Sequence, residues 1–115
     1  MKIIIAGSRS FTNYPFLYLK CSFLIGEHTD VSIVSGTAHG ADRLGERFAK
    51  AKGFRIERFP ANWEKYGKRA GYIRNEEMAK FSDCLIAFWD GKSRGTGHMI
   101  DLARRSGLKV RVVRF

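Results

Sequence analysis

Three short runs hold most of the chemistry this chain could perform: Gly7-Ser8-Arg9-Ser10, Ser35-Gly36-Thr37-Ala38-His39-Gly40-Ala41-Asp42 and Gly91-Lys92-Ser93-Arg94-Gly95-Thr96-Gly97. Each follows an apolar run, and the second leads into Leu44, Phe48 and Ala51 at helical spacing. Strand, glycine-bearing turn and helix start together form an anion site. Glycines such as Gly7, Gly36, Gly40 and Gly95 let backbone N–H groups approach a phosphate, and the helix start adds unpaired donors and partial positive charge. The alternative is that the glycines serve turn geometry alone. The hydroxyls of Ser8, Ser35, Thr37, Ser93 and Thr96 suit phosphate or ribose, and each also suits a helix cap. Arg9 can fork onto a phosphate. Asp42 can bind ribose hydroxyls, or simply stabilise the first turn of its helix.

The elements that position these runs read as alternating strands and helices. Strands are expected at 2–6, 31–35, 54–59, 84–89 and 108–114. Helices are expected from Thr12 or Asn13 to Gly26 with Pro15 in the first turn, and over 41–52, 70–81 and 97–106. Residues 60–69 read as a long loop. The first, second and fourth strands are nearly continuous apolar runs, as in strands buried on both faces. The third and fifth interleave charges, as edge strands do. This predicts a single Rossmann-like three-layer α/β domain over 1–115, with a mostly parallel five-stranded sheet in the order 3-2-1-4-5. The topological switch then lies between the first and fourth strands, where ligands of open α/β sheets bind. All three loops converge there.

Composition sets the limits. The chain has 115 residues, 44% hydrophobic content and nine phenylalanines, enough for one sheet with helices on both faces. A net charge of +10 suits an anionic partner, a nucleotide or nucleic acid, or else simply keeps the surface soluble. Cys21 and Cys84 lie in apolar surroundings on separate elements and read as buried thiols of a reducing cytoplasm, not a disulfide or metal pair. Met1 leads directly into a strand, no signal peptide is visible, and no run approaches membrane-spanning length. No metal site and no cofactor is expected.

The Gly7-Ser8-Arg9, Ser35-Gly36-x-Ala38-x-Gly40-Ala41-Asp42 and Ser93-Arg94-Gly95-Thr96 motifs resemble those of the SLOG superfamily of Rossmann-like domains. The block from Phe59-Pro60-Ala61-Asn62-Trp63 through Tyr66-Gly67-Lys68, Ala70-Gly71, Arg74-Asn75 and Met78 is similar to its small stand-alone YspA-like branch, common in bacteria and phages. More distantly the motifs resemble lysine-decarboxylase-like phosphoribohydrolases and the DNA-processing protein A family. The resemblance implies a nucleotide-derived ligand. It also implies that Arg74, near an arginine that acts on the ligand in hydrolase relatives, contacts that ligand. Those hydrolases follow their glycine-threonine with glutamates that cleave the N-glycosidic bond. Here Gly95-Thr96 runs into Gly97-His98-Met99-Ile100-Asp101, with no glutamate.

The remaining candidates each have two readings. Trp63, with Tyr66, Lys65, Lys68 and Arg69 nearby, suits a base stacked beside a neutralised phosphate, or else plugs the sheet edge as core. Arg74 and Asn75 open a helix at the site, or Arg74 pairs with Glu77. His39 is a proton shuttle or merely exposed. Asp42, Arg74, Asp90 and Asp101 are the candidates for catalysis. The reading is a binding module for a nucleotide-derived small molecule. An N-glycosidic phosphoribohydrolase is the alternative, and a nucleic-acid-binding protein the second alternative. The apolar residues around the first helix suggest a homodimer.

Overall fold

In the computed structural model, which describes residues 1–115, the three most apolar runs form the centre of the sheet. These are β1 (Lys2–Gly7), β2 (Ser32–Ser35) and β4 (Cys84–Trp89). Ile4, Ile5, Ile33, Val34, Ala87 and Phe88 are wholly buried within them. β3 (Arg55–Arg58) and β5 (Lys109–Arg114) alternate charge with half-buried apolar residues and take the edges. The order is β3-β2-β1-β4-β5, and every pairing is parallel. A parallel pair needs a crossover, so each connection carries a helix.

Side chains alternate across the sheet and divide the core in two. Ile3, Ile5, Ile33 and Phe88 face α1 (Tyr14–Ile25) and α2 (Ala41–Lys52), meeting Leu17, Cys21, Phe48 and Ala49. Ile4, Ala6, Val34, Leu85 and Ala87 face α4 (Ala70–Phe81) and α5 (Arg94–Arg105), meeting Met78, Met99, Ile100 and Ala103. Asn13 starts α1, its Oδ1 accepting the Phe16 N–H at 3.2 Å, with Pro15 in the first turn.

Three local expectations are corrected. Residues 60–69 are not a plain loop: they hold the short helix α3 (Trp63–Tyr66) and a 3-10 turn over Gly67–Arg69. Asn62 Oδ1 caps α3 by accepting the Lys65 N–H at 3.1 Å. α5 begins at Arg94, three residues ahead of the expected 97, so Arg94, Gly95 and Thr96 form its first turn. Glycines 95 and 97 lower the helical signal there without preventing the helix. Cys21 is buried, and burial pushes its thiol up to about 12, but Cys84 is only partly buried; both are free thiols.

The α2 helix lies close on β1 at Gly45. A Cβ there would stand 2.7 Å from Ile5 Cγ2 and 2.8 Å from Ile5 Cβ, on a strand residue that is wholly buried. Gly45→Val is therefore expected to destabilise the fold by about 1–3 kcal/mol, as overpacked cores do. A urea midpoint equal to wild type would show that α2 and β1 are not held this tightly.

Candidate functional site

The loops that follow β1 and β4 leave toward opposite faces at the switch between the two strands, and a cleft of about 480 Å³ opens there. The first loop is locked rather than open. The Ser8 N–H donates to Phe88 O at 2.9 Å, and Ser8 Oγ accepts from the Asp90 N–H at 3.2 Å and from Ser93 Oγ at 2.9 Å. A Cβ on Gly7 would collide with Phe88 O and Ala41 Cβ, so its bare Cα lets β1, β4 and α2 meet. Arg9 and Ser10 are exposed beyond this clamp and line the cleft.

The second loop splits between two surfaces. Ala38 and Asp42 line the cleft; Ser35, Gly36, Thr37 and Gly40 do not. Ser35 is fully buried, donates to Glu46 Oε2 at 2.7 Å and accepts the Thr37 N–H at 3.1 Å. Thr37 has φ of 66°, left-handed for a β-branched residue, a position of real backbone strain. Gly40 has φ of 79°, and a side chain there would strike the Ser8 and Arg9 carbonyls. A Cβ on Gly36 would stand 2.7 Å from Arg74 Nη1 and 2.8 Å from Asp42 Oδ2, so glycine leaves room for those two groups. His39 is exposed and outside the cleft.

Asp42 is 5% exposed at the start of α2. Burial raises its pKa to about 6, against the opposing pull of the Ala38 N–H, the Arg74 charge and the Gly7 N–H. Arg74 is half-buried, and burial pushes its pKa down, opposed by the Asp42 charge. It forms no ion pair with Glu77; it donates to Gly36 O and, at 3.0 Å, to Asn75 Oδ1. Asn75 in turn donates to Gly95 O at 3.3 Å and stands 3.2 Å from His98 Nδ1. It fastens α4 to the first turn of α5. Burial lowers the His98 pKa, which fits a neutral ring accepting at Nδ1.

The third loop leaves α5 open. Ser93 precedes the helix but its side chain does not cap it. Its hydroxyl goes instead to Ser8 Oγ and to Asp90 Oδ1 at 3.0 Å. The first N–H groups of α5 therefore keep no side-chain partner. Arg94 and Gly95 are exposed at the cleft beside Thr96, and nothing lies within 4 Å of where a Gly95 Cβ would stand. Asp90 turns its carboxylate onto its own loop. The Ser93 and Lys92 N–H groups, each at 2.8 Å, hold its pKa down to about 2. Asp101 pairs with Arg105 at 2.8 Å on the solvent side of α5. Neither lines the cleft.

Trp63 is not core: it is 54% exposed. With Tyr72 and Lys68 it lines a side lobe of about 200 Å³ that shares Arg9, Arg74, Asn75 and Gly95 with the main cleft. Tyr72, edge-on to His98 with ring centroids 4.4 Å apart, was absent from the sequence reading. Its neighbour Gly71 and its surface position beside Trp63 are visible only once α3 and α4 are folded together. Ser10, Met78 and Met99 were also not foreseen as lining residues.

A family model described as the YspA, cpYpsA-related SLOG family matches residues 1–66. The chain is also similar to the Gene 61 protein of Mycobacterium phage D29, 39% identical over an alignment of 84 residues that covers 68% of this chain and 67% of that protein.

The buried carboxylate yields a pH prediction. In the unfolded chain Asp42 ionises near 3.8, whereas in the fold it keeps its proton to about pH 6. The fold is favoured by this group below about pH 4 and loses that advantage as the pH rises through 6. Wild type should therefore lose stability relative to Asp42→Asn by about 2 kcal/mol between pH 4 and 7, since one pKa unit is about 1.4 kcal/mol. Parallel denaturation curves over that window would contradict the buried-acid assignment.

Proposed function

The chain belongs to the YspA, cpYpsA-related SLOG family, and from that footing we propose that its cleft binds a nucleotide-derived small molecule, as a sensor or sequestering module. The observation that carries this reading is the uncapped start of α5. Its open N–H groups stand beside Arg9 and Arg94 at the cleft, where Ser93 has directed its hydroxyl elsewhere. That combination suits a phosphate, with the arginines adding charge-assisted contacts. The side lobe of Trp63 and Tyr72, which shares Arg9 and Gly95 with the cleft, suits an aromatic base. The cleft's volume suits a ligand of that size.

N-glycosidic hydrolysis is the second reading, and Asp42 alone supports it. It is the one carboxylate among the cleft-lining residues, and it holds a proton to about pH 6. Its Oδ2 already accepts the Ala38 N–H at 3.2 Å, and no glutamate follows Thr96. We therefore favour binding over turnover. The two free thiols support a reducing, cytoplasmic setting, and no helix is long and apolar enough to cross a membrane.

Calorimetric titration with nucleoside mono- and diphosphates and adenosine diphosphate ribose tests the cleft. Gly95→Val fills the open space over α5, and Arg94→Ala removes a charged donor. Each is expected to weaken binding about 10- to 100-fold, Arg94→Ala through the loss of a charged hydrogen bond and Gly95→Val by blocking the approach to the helix start. Chromatography of the mixtures should recover the nucleotide intact. Wild-type affinity in both variants, or steady release of free base, would overturn the proposal.

Assembly is part of the same proposal. Leu19 and Phe23, one turn apart on α1, are 68% and 83% exposed, which supports burial against a second copy. Light scattering is expected to give a dimer mass for wild type and a monomer mass for Phe23→Glu. A monomeric wild type at high concentration would remove this part.

A further inference from the structure

The outward face of α2 carries a cationic surface separate from the cleft, and we propose that it grips the sugar–phosphate backbone of one nucleic-acid strand. A groove of about 420 Å³ is lined by Thr37, Arg43, Glu46, Arg47, Lys50 and Arg58, with no apolar side chain among them. Positions 43, 46, 47 and 50 recur at helical spacing and share one face. Arg58 joins them from the end of β3.

Four cations here face one carboxylate, and that carboxylate is already engaged twice. Glu46 Oε1 accepts from Arg58 Nε at 2.9 Å, and Oε2 accepts from Ser35 Oγ at 2.7 Å. The chain's ion pairs are Arg55–Asp30, Arg58–Glu46 and Arg105–Asp101, so Arg43, Arg47 and Lys50 have no acidic partner. Like charges one turn apart on a helix repel. The outward face of α5 resolves the same problem internally, with Asp101 against Arg105; α2 does not. The Arg47 guanidinium lies 3.9 Å from the centre of the Tyr14 ring, a stacking that leaves its in-plane N–H donors free.

The length of the stripe fits a strand. At about 1.5 Å rise per residue, Arg43 and Lys50 lie about 10 Å apart along α2. That distance covers about three charges of one strand in a duplex, at about 3.4 Å of helix axis each. With nothing apolar to stack on a base, the contact runs through phosphates and sugars and does not read sequence. Thr37 lines this groove and the next residue, Ala38, lines the cleft, so one turn of backbone separates the two surfaces.

Fluorescence anisotropy with labelled single-stranded and duplex oligonucleotides of about 20 nucleotides, between about 50 and 200 mM salt, tests the proposal. Wild type is expected to bind with a steep salt dependence and without sequence preference. Arg43→Gln/Arg47→Gln/Lys50→Gln, its fold checked by circular dichroism, should bind at least about tenfold more weakly, with the slope of log affinity on log salt reduced by about 2. Lys50→Gln alone, a milder change at an exposed position, should reduce that slope by about 0.7. Nucleotide binding in the cleft should survive the triple change, and Gly95→Val should leave strand binding intact. Failure of the cleft proposal therefore leaves this one standing. Absence of binding at the lowest salt, or wild-type binding by both glutamine variants, would overturn it. So would displacement of the strand by tripolyphosphate at equal phosphate concentration, since the ligand would then be a compact polyphosphate.

Discussion

One buried residue holds the ends of four elements together at the cleft. Ser8 is 1% exposed, at the end of β1. Its carbonyl accepts the Phe11 N–H at 3.1 Å and the Ala41 N–H at 3.4 Å, while its N–H and hydroxyl join the end of β4 and the turn before α5. The sheet ladder cannot do this work. β1 and β4 are adjacent, but their following helices leave to opposite faces, so the loops after them part company. Ser8 closes that parting on its inner side and leaves the outer side open. The cleft is the space the clamp does not fill.

The clamp also explains why α5 lacks a cap. A serine before a helix ordinarily turns its oxygen onto the first N–H groups. Ser93 is committed to Ser8 and Asp90 instead, and Asp90 is itself committed to the Lys92 and Ser93 N–H groups. Stability of the loop and openness of the helix end thus come from the same three side chains. On the far side, Asn75 reaches Gly95 O and His98, fixing where that open end points.

The sheet was legible because its signals are long and redundant. Ile3-Ile4-Ile5 and Leu85-Ile86-Ala87-Phe88 are apolar on both faces, while Arg55-Ile56-Glu57-Arg58 and Lys109-Val110-Arg111 alternate, and those two patterns separate the inner strands from the edges of the order found. What was not legible is short or depends on tertiary partners. The four residues of α3 are fewer than periodicity needs, and its stability rests on Asn62 and on packing beside α4. Ser35 looked like a ligand donor and is instead turned inward to Glu46, a partner that only the folding of α2 against β2 supplies. Asp90 and Asp101 were indistinguishable from Asp42 as carboxylates in a string. Burial sets them apart, and burial is a property of the fold.

The charged edges reach beyond the site. β3 exposes Arg55, Glu57 and Arg58, and β5 exposes Lys109, Arg111 and Arg114. A sheet open at both ends is a template for adding strands from another molecule, and lysines and arginines along such an edge discourage that growth. Two copies meeting edge to edge at β5 would bring rows of like charge together across a gap of about 5 Å, the spacing of hydrogen-bonded strands. The fold therefore resists runaway strand addition, the route to fibrous aggregates, through the same residues that mark its outer strands in the sequence.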